Sequence, residues 1–256
     1  MLIATWNVNG IRAREEQFLA WIAAAKPAVI CLQETKAQPE QLSQTLCKLA
    51  GYDCYWHPAP KGYSGVGLHL RTDAFTSAPI FAHPAHDFES RLVTADVEYA
   101  NRKLTFASLY MPNGGKDYPA KVAFMKAMIA WVREVRESDR DLVLCGDMNV
   151  ARASIDVHPK LRDPTVIGQS QEERGLFSDL LVAGNLVDMQ RALEPDNTEL
   201  FTWWPYWREH RARNMGWRLD YILSASALAS RISDCRVLVE IGTSDHAPVV
   251  ATLGLG

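Results

Sequence analysis

The 256-residue sequence contains no uninterrupted apolar stretch near the roughly 18 residues that a membrane-spanning helix requires, so no membrane partner is expected. Its opening, MLIATWNVNG, lacks a basic segment ahead of an apolar one and reads as a first strand, not a secretory signal. Cysteines are few: five, an odd number, with no CxxC spacing, which argues against both a disulfide framework and a zinc site. Cys31 and Cys145 stand in the apolar runs AVICLQ and VLCGD, where a thiol serves as a small hydrophobe. A reducing, cytoplasmic compartment is the expectation. Nor does one sign of charge dominate. Lys and Arg number 27 against 30 Asp and Glu, a net charge of −3, so the overall field does not advertise a polyanion partner. A local basic face is enough to bind one, so nucleic acid is not excluded.

No low-complexity tract, short repeat or Pro/Gly/Ser linker interrupts the chain, and residues 1–256 read as one domain. Apolar residues make up 48%, enough for a substantial core. LIATW reads as a strand, then Arg14 to Ala25 as a helix with Phe18, Trp21, Ile22 and Ala25 on one stripe. AVICLQ is the next strand, and Pro39 to Ala50 a second helix with proline in its first turn. Strands YDCYWH, GVGLHLR, RLVTADVEY and KLTFASLYM follow without helices between them. A helix from Tyr118 to about Glu137, the strand DLVLCGD and a helix from Gln171 to about Gly184 come next, with strands WRLDYIL, CRVLVEI and APVVATL at the end. Mixed strand runs with scattered helices predict two packed sheets with helices outside them, an α/β arrangement. The second half roughly echoes the first.

Four apolar segments meet oxygen-bearing residues in the same manner. LIATW runs into Asn7, AVICLQ into Glu34, and VLCG into Asp147 and Asn149, while Asp245 and His246 stand just ahead of APVVATL. Asp147 and Asn149, two apart, would face the same way on an extended segment. Each residue alone is an ordinary turn former. Gathered along one sheet edge, three carboxylates and two amides repel one another unless a cation neutralises them, and all-oxygen ligands suit Mg²⁺ or Mn²⁺. Glu34 is the expected main ligand, with Asn7 and Asp245 assisting and Asp147 freer for chemistry. His246 needs a partner to fix its tautomer, and Asp220 in WRLDYIL is the best candidate. His83 and His86 flank a proline and read as a solvated loop.

Seven segments, WNVNGIR, CLQETKA, KGYSGVG, LYMPNG, GDMNVA, GWRLDY and SDHAPV, together resemble the exonuclease III family of apurinic/apyrimidinic (AP) endonucleases in order and spacing, from Ile3 to about Val250. The resemblance implies a four-layered αββα sandwich, DNase I-like, with two mixed β-sheets flanked by helices. It implies Mg²⁺-dependent cleavage of duplex DNA 5′ to abasic sites, leaving a 3′-hydroxyl, with 3′→5′ exonuclease and 3′-phosphatase activity, by a monomer engaged in base excision repair. By that resemblance Glu34 is the principal metal ligand, helped by Asn7 and Asp245. Asp147 handles the proton, Asn149 stabilises the transition state, Tyr110 and Asn113 hold the scissile phosphate, and His246 with Asp220 contacts it.

The stretch FTWWPYWREHRARNMGWRLDY interleaves Trp203, Trp204, Trp207 and Trp217 with Arg208, Arg211, Arg213 and Arg218, a composition suited to tracking a phosphate backbone. Core packing is an equal reading for Trp204. The resemblance makes Trp203 and Trp217 the walls of a pocket for an extrahelical abasic sugar and places Lys116 toward DNA, where the composition of the stretch also puts Trp207, Arg208 and Arg211. Two other readings stay open: another metal phosphoesterase built on the same sandwich edge, and a catalytically silent nucleic-acid-binding relative.

Overall fold

The computed structural model describes residues 1–84 and 89–254. His86 lies outside the described residues, and His83 is exposed. Among the described residues, twelve strands form two six-stranded sheets. The first runs in the order β11 (Ile232–Val237), β12 (Val249–Leu253), β1 (Leu2–Asn7), β2 (Val29–Gln33), β4 (Val66–Arg71), β3 (Tyr52–His57). The second runs β5 (Ile80–Ala82), β6 (Leu92–Tyr99), β7 (Arg102–Tyr110), β8 (Asp141–Asp147), β10 (Asp220–Ala225), β9 (Leu186–Asp188). Each sheet has one parallel pair at its centre, β1–β2 and β7–β8, and antiparallel neighbours elsewhere. A helix joins each parallel pair, α1 (Glu15–Ala25) in the first sheet and α3 (Tyr118–Glu137) in the second. The echo between the two halves of the sequence is this repeated unit.

Alternation along the strands sorts side chains into layers. Ile3, Cys31, Leu68, Phe106, Val143, Cys145 and Ile222 fill the space between the sheets. Trp6, Ile30 and Leu32 face outward onto Phe18, Trp21 and Ile22 of α1. Leu142, Leu144 and Tyr221 face Phe124, Met128 and Val132 of α3 and Phe177 and Leu180 of α4 (Gln171–Gly184). The result is the expected αββα sandwich.

Toward one end the inner layer turns polar. Thr5, Gln33 and Ser108 are buried there: Thr5 Oγ1 donates to Gln33 Oε1 at 3.2 Å within the first sheet, and Gln33 Nε2 donates to Ser108 Oγ at 3.1 Å across to the second. One pleat further along come Asn7, Tyr110 and Asp147. These end β1, β7 and β8, Glu34 follows the end of β2, and the antiparallel β10 and β12 begin at the same edge, with Asp220 opposite Asp147. Topology therefore delivers six chain segments to one cleft.

The expected elements need correction at several points. The second helix is not continuous from Pro39 to Ala50. A 3-10 turn, Pro39–Gln41, closes on its own capping box with Gln38, Leu42 is extended, and Ser43 then caps a single turn, α2 (Gln44–Cys47). WRLDYIL becomes strand only at Asp220, because Arg218 is drawn inward to acidic partners. Strands β5 and β9 and the short α5 (Met189–Leu193) went unread, each spanning too few residues to display a period.

Candidate active site

Glu34, Asp147 and His246 bring ligand atoms within 4.8 Å of one another, the single such acidic or imidazole group of three among the described residues. The Asn7 amide clamps the two carboxylates, its Nδ2 donating to Glu34 Oε1 and to Asp147 Oδ2, both at 2.9 Å. Its Oδ1 accepts from the Asn9 amide at 3.0 Å, so Asn7 presents N–H rather than oxygen to the cluster. Lys36 reaches Glu34 Oε2 at 2.6 Å and Asn9 Oδ1 at 2.6 Å. Asp245 lines the same cleft but stands outside the group of three. Its Oδ1 accepts from Asn9 Nδ2 at 2.9 Å and its Oδ2 from Trp203 Nε1 at 3.0 Å.

The relation between Asp147 and Asn149 is not the shared strand face expected. Strand β8 ends at Asp147, and Asn149 adopts the left-handed region at φ +47°. A local turn brings the pair together: Asn149 N–H donates to Asp147 Oδ1 at 2.8 Å, and Asn149 Nδ2 reaches Asp147 Oδ2 at 3.3 Å and Met111 O at 2.8 Å. Asparagine's short amide tolerates that backbone conformation better than most side chains. Asn113 Nδ2 donates to Asn149 Oδ1 at 3.3 Å, and Tyr110 lines the cleft beside them.

His246 and Asp220 pair as expected. Nδ1 lies 2.8 Å from Asp220 Oδ2, leaving Nε2 toward the cleft, 3.8 Å from Asp147 Oδ2. Thr202 completes the unit, donating Oγ1–H to Asp220 at 2.6 Å and accepting the Leu219 and Asp220 amides.

The electrostatics divide the carboxylates into two kinds. Burial pushes Asp147 up to about 7, assisted by Asp220 and Glu34 and resisted by His246 and the Asn149 amide. Burial also opposes ionisation of Glu34, but hydrogen bonds from Asn7 and Lys36 outweigh it and hold that carboxyl below its usual range. Asp245 is likewise held low against burial by His246, Asn9 and Trp203. For His246 burial opposes the charged form, yet Asp220 and Asp147 overcome it and raise the imidazole to about 10. Burial, reinforced by Glu34 and Asp147, keeps the Tyr110 phenol protonated well beyond its usual range.

The cleft, about 690 Å³, continues from the cluster to an apolar end formed by Trp203, Trp217, Leu219, Leu161, Val166 and Ile167. Trp203 and Trp217 meet edge to face with centroids 5.6 Å apart and exchange backbone hydrogen bonds. Trp207 sits at the rim, 62% exposed. Of the tryptophans, Trp204 is a core residue, packed with Phe201 and Ala247.

The basic residues are distributed differently from the sequence expectation. Arg211 does not face the cleft. It stacks on Trp204 and donates to the carbonyls of Ser244, Val239 and Ile241, because a left-handed turn at Arg208 and Glu209 folds the loop back on residues 239–244. Arg208 is exposed and outside the cleft lining, and Lys116 lines a neighbouring hollow with its ammonium over the Tyr63 ring. Arg218 is wholly buried between Asp156 and Asp188. Sequence reading also missed Asn9, Lys36 and Thr202. Lys36 carried a signal, a cation two residues from Glu34, whereas Thr202 came into view only through the fold.

Two six-stranded sheets sharing an acidic cleft at one edge define a DNase I-like sandwich. Residues 4–246 match the model of the Endonuclease/Exonuclease/phosphatase family, and the chain belongs to that family. It is 32% identical over 257 residues to an exodeoxyribonuclease of Bacillus subtilis, covering 97% of this chain and 98% of that protein. Recombination repair protein 1 of Drosophila melanogaster is 33% identical over 251 residues, 96% of this chain, which spans only 36% of that protein's length. Among solved structures, the 3′ phosphatase NExo from Neisseria, bound to product DNA hairpin, superposes with a TM-score of 0.87 at 30% identity, covering 99% of both chains. The AP endonuclease LMAP from Leishmania major gives a TM-score of 0.87 at 26% identity, covering 98% of this chain and 86% of that one. The likeness to the exonuclease III family read from seven motifs holds over nearly the whole chain.

Proposed function

We propose that this chain, acting as one domain and as a monomer in the cytoplasm, is a DNA-repair phosphodiesterase. It hydrolyses the bond 5′ to an abasic site in duplex DNA and leaves a 3′-hydroxyl, with 3′→5′ exonuclease and 3′-phosphatase action at the same cleft. The observation that carries this reading is the continuity of the Glu34–Asp147–His246 cluster with the tryptophan-walled apolar end.

The residues fit a hard divalent cation, Mg²⁺ or Mn²⁺. The half-buried Glu34 and the buried Asp147 and Asp220 crowd one place, and their mutual repulsion contributes to the raised pKa of Asp147. Held by Glu34, such a cation would supply charge that a phosphate anion needs on approach and would polarise a phosphoryl oxygen, worth several kcal/mol in the transition state.

The chain's own groups do the remaining work. Asp147, poised near neutrality, takes the proton of the attacking water and returns it to the 3′-oxygen as the bond from phosphorus to that oxygen breaks, whereas Glu34 and Asp245 stay ionised. His246, charged at neutral pH and fixed through Nδ1 to Asp220, donates from Nε2 to a phosphate oxygen. Tyr110, held protonated, donates a second hydrogen bond. Asn149 gives the third by exchanging its 3.3 Å contact to Asp147 for one to the phosphate, and Asn113 orients it. Removing one such donor typically costs on the order of 10²–10³ in rate.

Specificity comes from deformation. A nucleotide without its base has lost stacking and pairing, so turning its sugar out of the duplex costs less than for an intact one. Trp203 and Trp217 offer walls that admit the bare sugar and exclude a residue that retains its base.

The test is incision of a labelled duplex carrying one central tetrahydrofuran abasic analogue, beside the intact duplex, in Mg²⁺ and in EDTA. A single metal-dependent cut 5′ to the analogue supports the reading. Progressive 3′ shortening of both duplexes makes exonuclease the main activity, and binding without cleavage moves the silent relative to first place.

A further inference from the structure

Lys121, in the first turns of α3, and Glu173, in the first turn of α4, form an ion pair of 2.6 Å with no exposure of either side chain. Lys121 Nζ also donates to two backbone carbonyls, Asn149 O at 2.8 Å and Asn113 O at 3.2 Å. Glu173 Oε2 accepts from the Ser170 amide and hydroxyl and from Gly168 N–H at 2.7 Å. Gly168 in turn lies against Trp217 and Asn149: a Cβ there would come within 3.1 Å of the indole and 3.2 Å of the Asn149 carbonyl. Gly114 is packed as closely on the Lys121 stem, 2.8 Å from its Cδ.

A helix cap needs the glutamate but no lysine. A buried ion pair is also a weak source of stability, since an apolar pair of similar volume is often as good. What an apolar pair cannot do is hold two carbonyls. We infer that Lys121 and Glu173 are positioning residues that fix Asn113 and Asn149 relative to the carboxylate cluster. This rests on the reading of Asn149 as a donor to the phosphate. Asn149 tolerates its left-handed backbone, and the ammonium on its carbonyl fixes where that turn sits.

The test compares wild type, Glu173→Gln, Lys121→Met and the double variant Lys121→Met/Glu173→Leu on the abasic-analogue duplex in Mg²⁺. Either single change is expected to lower kcat on the order of 10², the effect of a misplacement near 1 Å, with KM moved less than about threefold. The double variant removes both buried charges, so it melts above Lys121→Met, which leaves Glu173 charged and unpaired, without recovering kcat. Recovery of kcat in the double variant, or a rise in KM at unchanged kcat, overturns the inference. Amide hydrogen exchange reads the same point without activity: Asn149 and Ala151 exchange faster in Glu173→Gln while Leu144 in β8 does not. If wild type leaves the abasic duplex uncut, the functional reading fails, and unchanged exchange at Asn149 and Ala151 refutes the positioning role by itself.

Discussion

Replacing Asp220 by Asn probes the imidazole pair with almost no change in shape. Asp220 is fully buried, accepts His246 Nδ1–H at 2.8 Å and Thr202 Oγ1–H at 2.6 Å, and stands first among the groups that raise His246 to about 10 against the opposing effect of burial. One close opposite charge moves a pKa by roughly 1–3, so the substitution should bring His246 to about 8. At about 1.4 kcal/mol per pH unit, that is about 3 kcal/mol of lost preference for the imidazolium. The sign for stability follows from the folded value lying above the unfolded one, near 6.5. His246 contributes fully below about pH 6.5, and its contribution is lost as pH rises through its folded pKa, about 10 in wild type. The metal-free wild type therefore loses thermal stability over that window, and Asp220→Asn has completed its loss by about pH 8. Two measurements check this: an NMR titration of the His246 ring in metal-free protein, and single-turnover incision of the abasic-analogue duplex from about pH 6 to 10. The alkaline limb of the rate should move down with the ring's midpoint, and the maximal rate should fall on the order of 10². A His246 midpoint that stays near its wild-type value refutes the reasoning.

Three further outcomes are expected. Asp147→Asn puts an amide among the donors Asn7 and Asn149 and removes the proton acceptor; turnover should vanish while DNA affinity, read by fluorescence anisotropy, is kept, and an active variant sinks the role. Trp217→Ala opens the pocket wall and should raise KM for abasic DNA and narrow its preference over intact duplex; an unchanged KM makes this a structural tryptophan. Gly146 sits at φ +146° where a Cβ would lie 1.9 Å from the Leu109 carbonyl, between the parallel strands β7 and β8. Gly146→Ala must part those strands and should cost more than about 4 kcal/mol in urea unfolding; a loss under about 1 kcal/mol would falsify the strain argument.

The sequence by itself determined the layers and the chemistry. Period-2 strands and one 3.6-period stripe specify which faces are apolar, and those local patterns survive in the fold because burial acts on each segment separately. It also specified that oxygen-bearing residues end the apolar runs at Asn7, Glu34 and Asp147, and that Asp245 stands just ahead of another. Tertiary structure alone decided which of them meet. Two parallel pairs must finish at one edge, and antiparallel β10 and β12 must begin there, before Asp220 can reach His246 and Asn7 can bridge Glu34 to Asp147. The arginines of the 201–218 stretch show the limit most plainly. As text, Arg208, Arg211 and Arg218 are alike; in the fold one is exposed, one is spent on backbone carbonyls, and one is buried between two aspartates. A guanidinium's partner is set by whatever acceptor the chain's path brings within about 3 Å, and that path is a property of the whole molecule.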